Sequence, residues 1–359
     1  MKILRNLILI FVVTVFALFE ISCKTTQSAQ KDSIDRNGPA PLAVKPVRLK
    51  GFEVSPYWNE QVKTYNWDTD VRIQINAPSA ETFDAQKPIR LILYTLPNGN
   101  SIEWTVGKKL KEGDDWHFNI QHIGAQTRRL REVMTGENIV VAYLEAKPKS
   151  WPNYRSRHED NPKLINEMVQ WVIHQMPYRP KEIVLSSHSG GGSFIFGFIN
   201  GNRHIPNWVN RISFIDSIYA YSDDSDTRHG TKMIEWLKEN PHHFLSIITY
   251  LDTNILYNGK PVRGAISFQK THEMVDRFSK NIPLSCTTTG DLVHWQGMNG
   301  QLDIITNLNP ENKILHTVLV EKNGFIHAMT TGTPYENKAG VFWADHAYDQ
   351  WIQPDVWPE

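Results

Sequence analysis

The sequence predicts an α/β fold built on a mostly parallel, eight-stranded sheet with helices on both faces. Three observations carry this. Short apolar runs rich in β-branched and aromatic residues recur along residues 46–359, as central strands do. Segments with helical spacing fall between them, and that alternation implies right-handed parallel crossovers. One apolar run, Ile183-Val184-Leu185, ends abruptly in the Ser- and Gly-rich turn Ser186-Ser187-His188-Ser189-Gly190-Gly191-Gly192 and resumes as Phe194-Ile195-Phe196. Strand, tight turn and helix are the elements this implies.

The first residues, Met1-Lys2-Ile3-Leu4-Arg5, carry two positive charges and precede the unbroken apolar run Leu7 to Phe19, then Glu20-Ile21-Ser22-Cys23. This reads as an export signal over residues 1–22. A cysteine directly after an apolar segment and a small residue resembles a bacterial lipoprotein cleavage site, with Cys23 the lipidated residue; Glu20 departs from the usual apolar residue there. The expectation is an exported chain on the periplasmic or cell-surface side, tied to the bilayer through Cys23. Residues 23–45, polar and without apolar period, read as a flexible tether. With Cys23 lipidated, Cys286 alone is left of the two cysteines, and one cysteine makes no internal disulfide. Charge is balanced, 38 basic against 38 acidic residues with no long basic stretch after the signal, which argues against nucleic acid as a partner.

Strands are predicted over Val47 to Val54 and Asp70 to Ile75 as an antiparallel pair joined by Tyr57 to Tyr65. Further strands follow at Ile89 to Tyr94, Asn138 to Leu144, Glu182 to Leu185, Ile212 to Ile215, Phe244 to Leu251 and Leu315 to Val320. Ile165, Met168, Val169, Val172 and Ile173 mark a helix before the Ser-rich turn, and Met233, Ile234, Trp236 and Leu237 mark another after Ile215. Residues 253–313 are left as an insertion before the last strand, with the potential to form a cap.

A serine hydroxyl is a poor nucleophile until a base takes its proton and donors stabilise the oxyanion that forms. A sharp strand-to-helix turn lifts the hydroxyl clear of the backbone and aims helix N-terminal N–H groups at the reacting carbonyl. The run around Ser189 resembles the nucleophile elbow of the α/β-hydrolase superfamily, with Ser187 in place of the first glycine of G-x-S-x-G. The resemblance implies that fold, a serine hydrolase activity and a triad in the chain order Ser, acid, His.

Of the 14 histidines, His327 is the predicted base, because it lies directly after the predicted last strand. Two aspartates end consecutive strands, Asp252 after the seventh and Asp216 after the sixth, and either is placed to hold the base. Gly190 supplies one oxyanion N–H; in the loop Thr95-Leu96-Pro97-Asn98-Gly99, Pro97 has no N–H, which leaves Leu96 or Asn98 for the second. The aromatic stretches around Trp116 and Trp151 follow predicted strands and read either as substrate-binding or as packed loops. Asp223-Asp224-Ser225-Asp226 lacks the glycine and terminal glutamate of a calcium loop, no zinc pattern is present, and no cofactor is called for. The leading reading is a serine hydrolase opening an acyl substrate, ester before amide, through an acyl-enzyme. The alternatives are a serine peptidase and a non-catalytic surface lipoprotein that uses the same scaffold to grip a glycan or cell-wall polymer.

Overall fold

The computed structural model describes residues 46–257, 259–262 and 266–356; the signal segment 1–22, Cys23 and the tether 23–45 lie outside them. Thirteen strands occur among the described residues: β1 (Glu53–Val54), β2 (Gln61–Trp67), β3 (Val71–Ala77), β4 (Ile89–Thr95), β5 (Asn138–Ala146), β6 (Glu182–His188), β7 (Val209–Ile215), β8 (Phe244–Tyr250), β9 (Leu256–Tyr257), β10 (Lys260–Pro261), β11 (Leu284–Thr289), β12 (Leu292–Gly297) and β13 (Leu302–Asn307). Eleven form one sheet in the order β1-β2-β3-β5-β4-β6-β7-β8-β13-β12-β11, and β9 pairs with β10 alone.

This corrects the expected eight-stranded sheet. Strands β5, β4, β6, β7, β8 and β13 are parallel neighbours. Antiparallel strands flank them, β1 to β3 on one side and β12 with β11 on the other. Two predicted strands were misplaced. Residues 47–52 are not a strand; the true partner of β3 is β2, which begins inside the segment read as a connection and runs past its end. Leu315 to Val320 is not a strand either. There Leu319 N–H donates to Leu315 O at 2.9 Å and Glu321 N–H to Thr317 O at 3.1 Å, the return bonds of a helical turn. Leu315, Leu319 and Val320 enter one core, as i, i+4 spacing allows and strand alternation does not. The true last strand, β13, lies inside residues 253–313, which extend the sheet through β11 to β13.

The helices are α1 (Ile102–Val106), α2 (Ile123–Val133), α3 (Trp151–Arg157), α4 (Asn161–Gln175), α5 (Gly192–Asn200), α6 (His229–Glu239), α7 (Ser267–Ser279) and α8 (Phe325–Thr330). Alternate strand residues feed two cores, one on each face. Leu91 and Leu93 of β4 join α3 to α7 in one core, while Ile92 and Tyr94 join α1, α2 and α8 in the other. Glu60 anchors the second face at the sheet margin, its carboxylate bonded to Arg128 at 2.7 Å and Arg131 at 2.6 Å. Burial opposes its charge, but the two guanidiniums outweigh it and hold the carboxyl below its usual range.

Two buried histidines make stability depend on pH. His229 accepts from Ser222 N–H through Nδ1 at 3.0 Å, so it folds neutral; burial brings it down to about 3 and brings His122 down to about 4. The unfolded chain protonates both near 6.5 while the folded chain does not, so the unfolded state binds more protons below that value. The stability these residues contribute is therefore full above about pH 6.5 and lost progressively toward pH 4. Melting midpoints should fall steadily between about pH 7 and pH 4.5; a flat profile over that interval contradicts the assignment.

Candidate active site

Strand β6 lies at the centre of the parallel block, and after its last residue, His188, the chain turns sharply. Ser189 takes a left-handed φ of +54°, a conformation that a side chain adopts only when its surroundings impose it. A 3₁₀ turn over Ser189–Gly191 leads into α5. Close approach dictates the glycines: a Cβ at Gly190 would collide with the Asn98 carboxamide, one at Gly191 with Thr95 O, and one at Gly192 with Ser217 O. Ser187, standing where the motif usually has glycine, fits because its buried hydroxyl bonds Ser217 Oγ at 2.7 Å. Ser189 itself is half-buried.

The structure does not bring His327 to this turn. Its Nε2 pairs with Asp303 Oδ2 at 2.9 Å, with side-chain exposures of 5% and 1%. Arg211, at the start of β7, donates to Ala328 O at 3.1 Å and Thr331 O at 2.9 Å. That fixes α8 at the end of the sheet away from Ser189. Burial opposes the charge of Asp303, yet the bond from His327 holds its carboxyl below the usual range.

A different histidine reaches the elbow. His316 lies in the loop between β13 and the turn leading to α8, and its backbone O accepts from His188 Nε2 at 3.0 Å. The two imidazoles pack with centroids 4.6 Å apart. His316 Nδ1 makes a short bond to Asp216 Oδ2. Asp216 is fully buried at the end of β7 and also accepts from Tyr219 OH at 2.9 Å and, through Oδ1, from Ser267 Oγ. Burial, then Asp216, push the Tyr219 phenol far above its ordinary value, so it stays a neutral donor. His188 is held well below its usual value, first by burial and then by His316; it too is neutral and its Nε2–H fixes the tautomer.

The other strand-end aspartate does different work. Asp252 accepts from the backbone N–H groups of Ser267 at 2.8 Å and Phe268 at 3.1 Å and so caps α7. Burial raises its carboxyl above the usual range. Ser267 thus serves both aspartates: its N–H goes to Asp252 and its hydroxyl to Asp216. Sequence reasoning missed Ser267, Tyr219 and His316. A search after the last strand leads to His316, but the sequence reading placed that strand at a helical turn.

Of the two oxyanion candidates in the loop after β4, Leu96 is excluded by its own ladder bond, because its N–H donates to Leu144 O at 3.2 Å. Asn98 lies against Gly190, and Gly190 N–H belongs to the first turn of the helical segment, where an N–H has no intrahelical partner. A cavity of about 820 Å³ opens elsewhere, at the starts of β6 and β7 beside Ile183, Trp208 and Asn210. It lies at the end of the sheet opposite Ser189.

No family model matches this chain, and no curated protein matches it. Solved structures similar to it include a thermostable esterase, at 12% identity over 76% of this chain and 63% of that one, TM-score 0.44. A siderophore hydrolase from Aspergillus nidulans is similar at 10% identity over 82% and 97%, TM-score 0.40. So is a glucuronoyl esterase from Solibacter usitatus, at 10% identity over 74% and 83%, TM-score 0.38. The chain thus spans less than two thirds of the first of these. Similarity at this level is remote, and the roles of the site residues follow from their own geometry.

Proposed function

We propose that the chain is a serine ester hydrolase of the α/β-hydrolase type, with Ser189 as nucleophile, His316 as general base and Asp216 as the acid that orients it. The observation that carries this reading is the left-handed Ser189 at a crowded strand-to-helix turn, whose preceding residue His188 packs on a histidine with its Nδ1 bound by a fully buried carboxylate. With Nδ1 engaged, Nε2 is the ring nitrogen left to take the serine proton. Ser189 Oγ forms no hydrogen bond among the described residues, so proton transfer requires its hydroxyl to turn toward Nε2 as substrate arrives.

Ser189 Oγ then attacks the ester carbonyl and its proton passes to His316. Gly190 N–H and an Asn98 donor face the developing oxyanion. The imidazolium, stabilised by Asp216, gives its proton to the departing alkoxide as the carbon–oxygen bond breaks. Water deprotonated by His316 attacks the acyl-enzyme, and collapse returns the proton to Ser189. His188 is a positioning residue, acting through its bond to the His316 backbone. The sequence also supports delivery of this hydrolase to a membrane surface through lipidated Cys23; incorporation of labelled fatty acid that a Cys23→Ala substitution abolishes is the direct check.

Labelling by a fluorophosphonate probe tests the catalytic reading. The intact protein should be labelled at Ser189 and nowhere else, and failure to label would overturn the proposal. The two aspartates separate in the same assay. Asp216→Asn should lower turnover by about 10⁴-fold, the scale seen when a triad acid is neutralised. Asp252→Asn should act chiefly on stability, by about 1 kcal/mol, because one of the two oxygens that accept from the start of α7 becomes an NH2 that cannot. Equal turnover in the two variants would remove Asp216 from its role.

A further inference from the structure

Trp116 is 61% exposed, more than any other large apolar side chain among the described residues. It is nevertheless held rigidly. Its ring stacks on His117 at 3.9 Å and 28°, and His117 stacks in turn on Trp104 at 4.4 Å and 14°. Lys149 Nζ sits over the Trp104 ring, 4.2 Å from its centroid. At these separations two partners cannot share one face of a ring, so the layers run Lys149, Trp104, His117, Trp116, and the outer face of Trp116 is open. Asp115 caps the short helical turn that presents the stack, accepting from His117 N–H at 2.9 Å.

The stack is tied to the catalytic loop. Gly99 N–H donates to Lys149 O at 2.8 Å, Asn98 lies on Gly190, and Trp104 is on α1, whose N-cap Ser101 closes the same loop. Scattered exposed apolar residues need no explanation. A tryptophan held by stacking at the outer end of a column whose inner end meets the oxyanion loop is different, because its plane is preorganised and binding there loses little side-chain entropy.

We propose that Trp116 is a saccharide subsite for the substrate of the Ser189 site, an inference that rests on the serine hydrolase reading. A pyranose presents a flat C–H face to an aromatic plane and hydroxyls around its edge. Here the plane is open, and beside it stands the Asp115 carboxylate: its Oδ1 is taken by the N–H and the ring Nδ1 of His117, while Oδ2, on a side chain 41% exposed, is left to accept from those hydroxyls. A bare aryl group would use the plane and make no use of Oδ2. The loop carrying Asn98 and Gly99 intervenes between the stack and Ser189, so the ring on Trp116 belongs some way along the same molecule from the reacting carbonyl. The substrate class is therefore an ester carried on an oligosaccharide.

Two measurements test this. The first is calorimetric binding of xylohexaose, cellohexaose and chitohexaose to the Ser189→Ala protein, alone and with Trp116→Ala or Trp116→Phe. The second is the ratio of kcat/KM for acetylated oligosaccharides to that for 4-nitrophenyl acetate. At least one oligosaccharide should bind; Trp116→Ala should weaken it and lower the ratio by about tenfold, the equivalent of roughly 1.4 kcal/mol, and Trp116→Phe should restore part of both. If no oligosaccharide binds, or Trp116→Ala leaves binding and ratio unchanged, the subsite is overturned, while fluorophosphonate labelling of Ser189 still upholds the hydrolase. Tighter binding of 4-hydroxycinnamate than of any saccharide overturns the choice of a sugar. Saccharide binding without any Ser189 labelling overturns the hydrolase, and with it the role of Trp116 as a substrate subsite.

Discussion

Ser189→Ala should abolish fluorophosphonate labelling and reduce ester turnover by about 10⁴-fold or more, the scale at which a triad nucleophile is lost. The fold should be unaffected. Ser189 Oγ supports no hydrogen bond among the described residues, so its removal leaves no buried partner unsatisfied. The left-handed φ of +54° remains as strained for alanine as for serine, and thermal midpoints should agree within about a degree or two. Residual turnover near that of the intact protein would mean another residue attacks the ester. A large drop in melting temperature together with lost turnover would mean that Ser189 is structural.

The two histidines should separate activity from stability. His316→Ala removes the group bonded to Asp216 and should lower kcat on the scale of the serine substitution while the protein remains folded, because the buried Asp216 keeps its bonds from Tyr219 and Ser267. His327→Ala should leave turnover per folded molecule close to normal. It leaves Asp303 with the Gln296 amide as its remaining side-chain donor at a site where the His327 and Asp303 side chains are almost fully buried, and breaking a buried pair by removing one member costs about 3–5 kcal/mol. Urea denaturation with turnover measured on the folded fraction distinguishes them. If His327→Ala were inactive while fully folded, and His316→Ala active, the base would be wrongly assigned.

The difference between these histidines also shows where the sequence was legible. The central strands β4 to β8 announced themselves through uninterrupted apolar runs, because parallel strands are buried on both faces. The elbow was visible because crowding there admits only small residues, and the departure at Ser187 is explained by a partner, Ser217, that no local pattern reveals. The strands that fall outside the apolar runs were opaque for a physical reason. Strand β11, Leu-Ser-Cys-Thr-Thr-Thr, is exposed along almost its whole length, and β13 carries Asp303 and Asn307 in the interior. Neither has the composition of a central strand. Meanwhile Leu315-His316-Thr317-Val318-Leu319-Val320 has it and folds as a helical turn, since β propensity yields to tertiary packing. That exchange moved the predicted end of the sheet and carried the base assignment with it. Between Asp252 and Asp216, order along the chain favoured Asp252, after the predicted seventh strand, and left Asp216 open. Both end strands and both are bonded by Ser267; what separates them is that His316 pairs with Asp216, a contact that local sequence does not reveal.

Ser267 has a consequence for how this site tolerates change. Catalytic geometry and helix initiation meet in one residue, through its hydroxyl to Asp216 and its N–H to Asp252. Substitutions at 216, 252 and 267 are therefore epistatic, their free energies failing to add as those of neighbours in one network do. A drift that begins as a harmless adjustment of the helix start can arrive at the carboxylate that orients the base. Double-mutant cycles among the three positions should show coupling rather than simple sums.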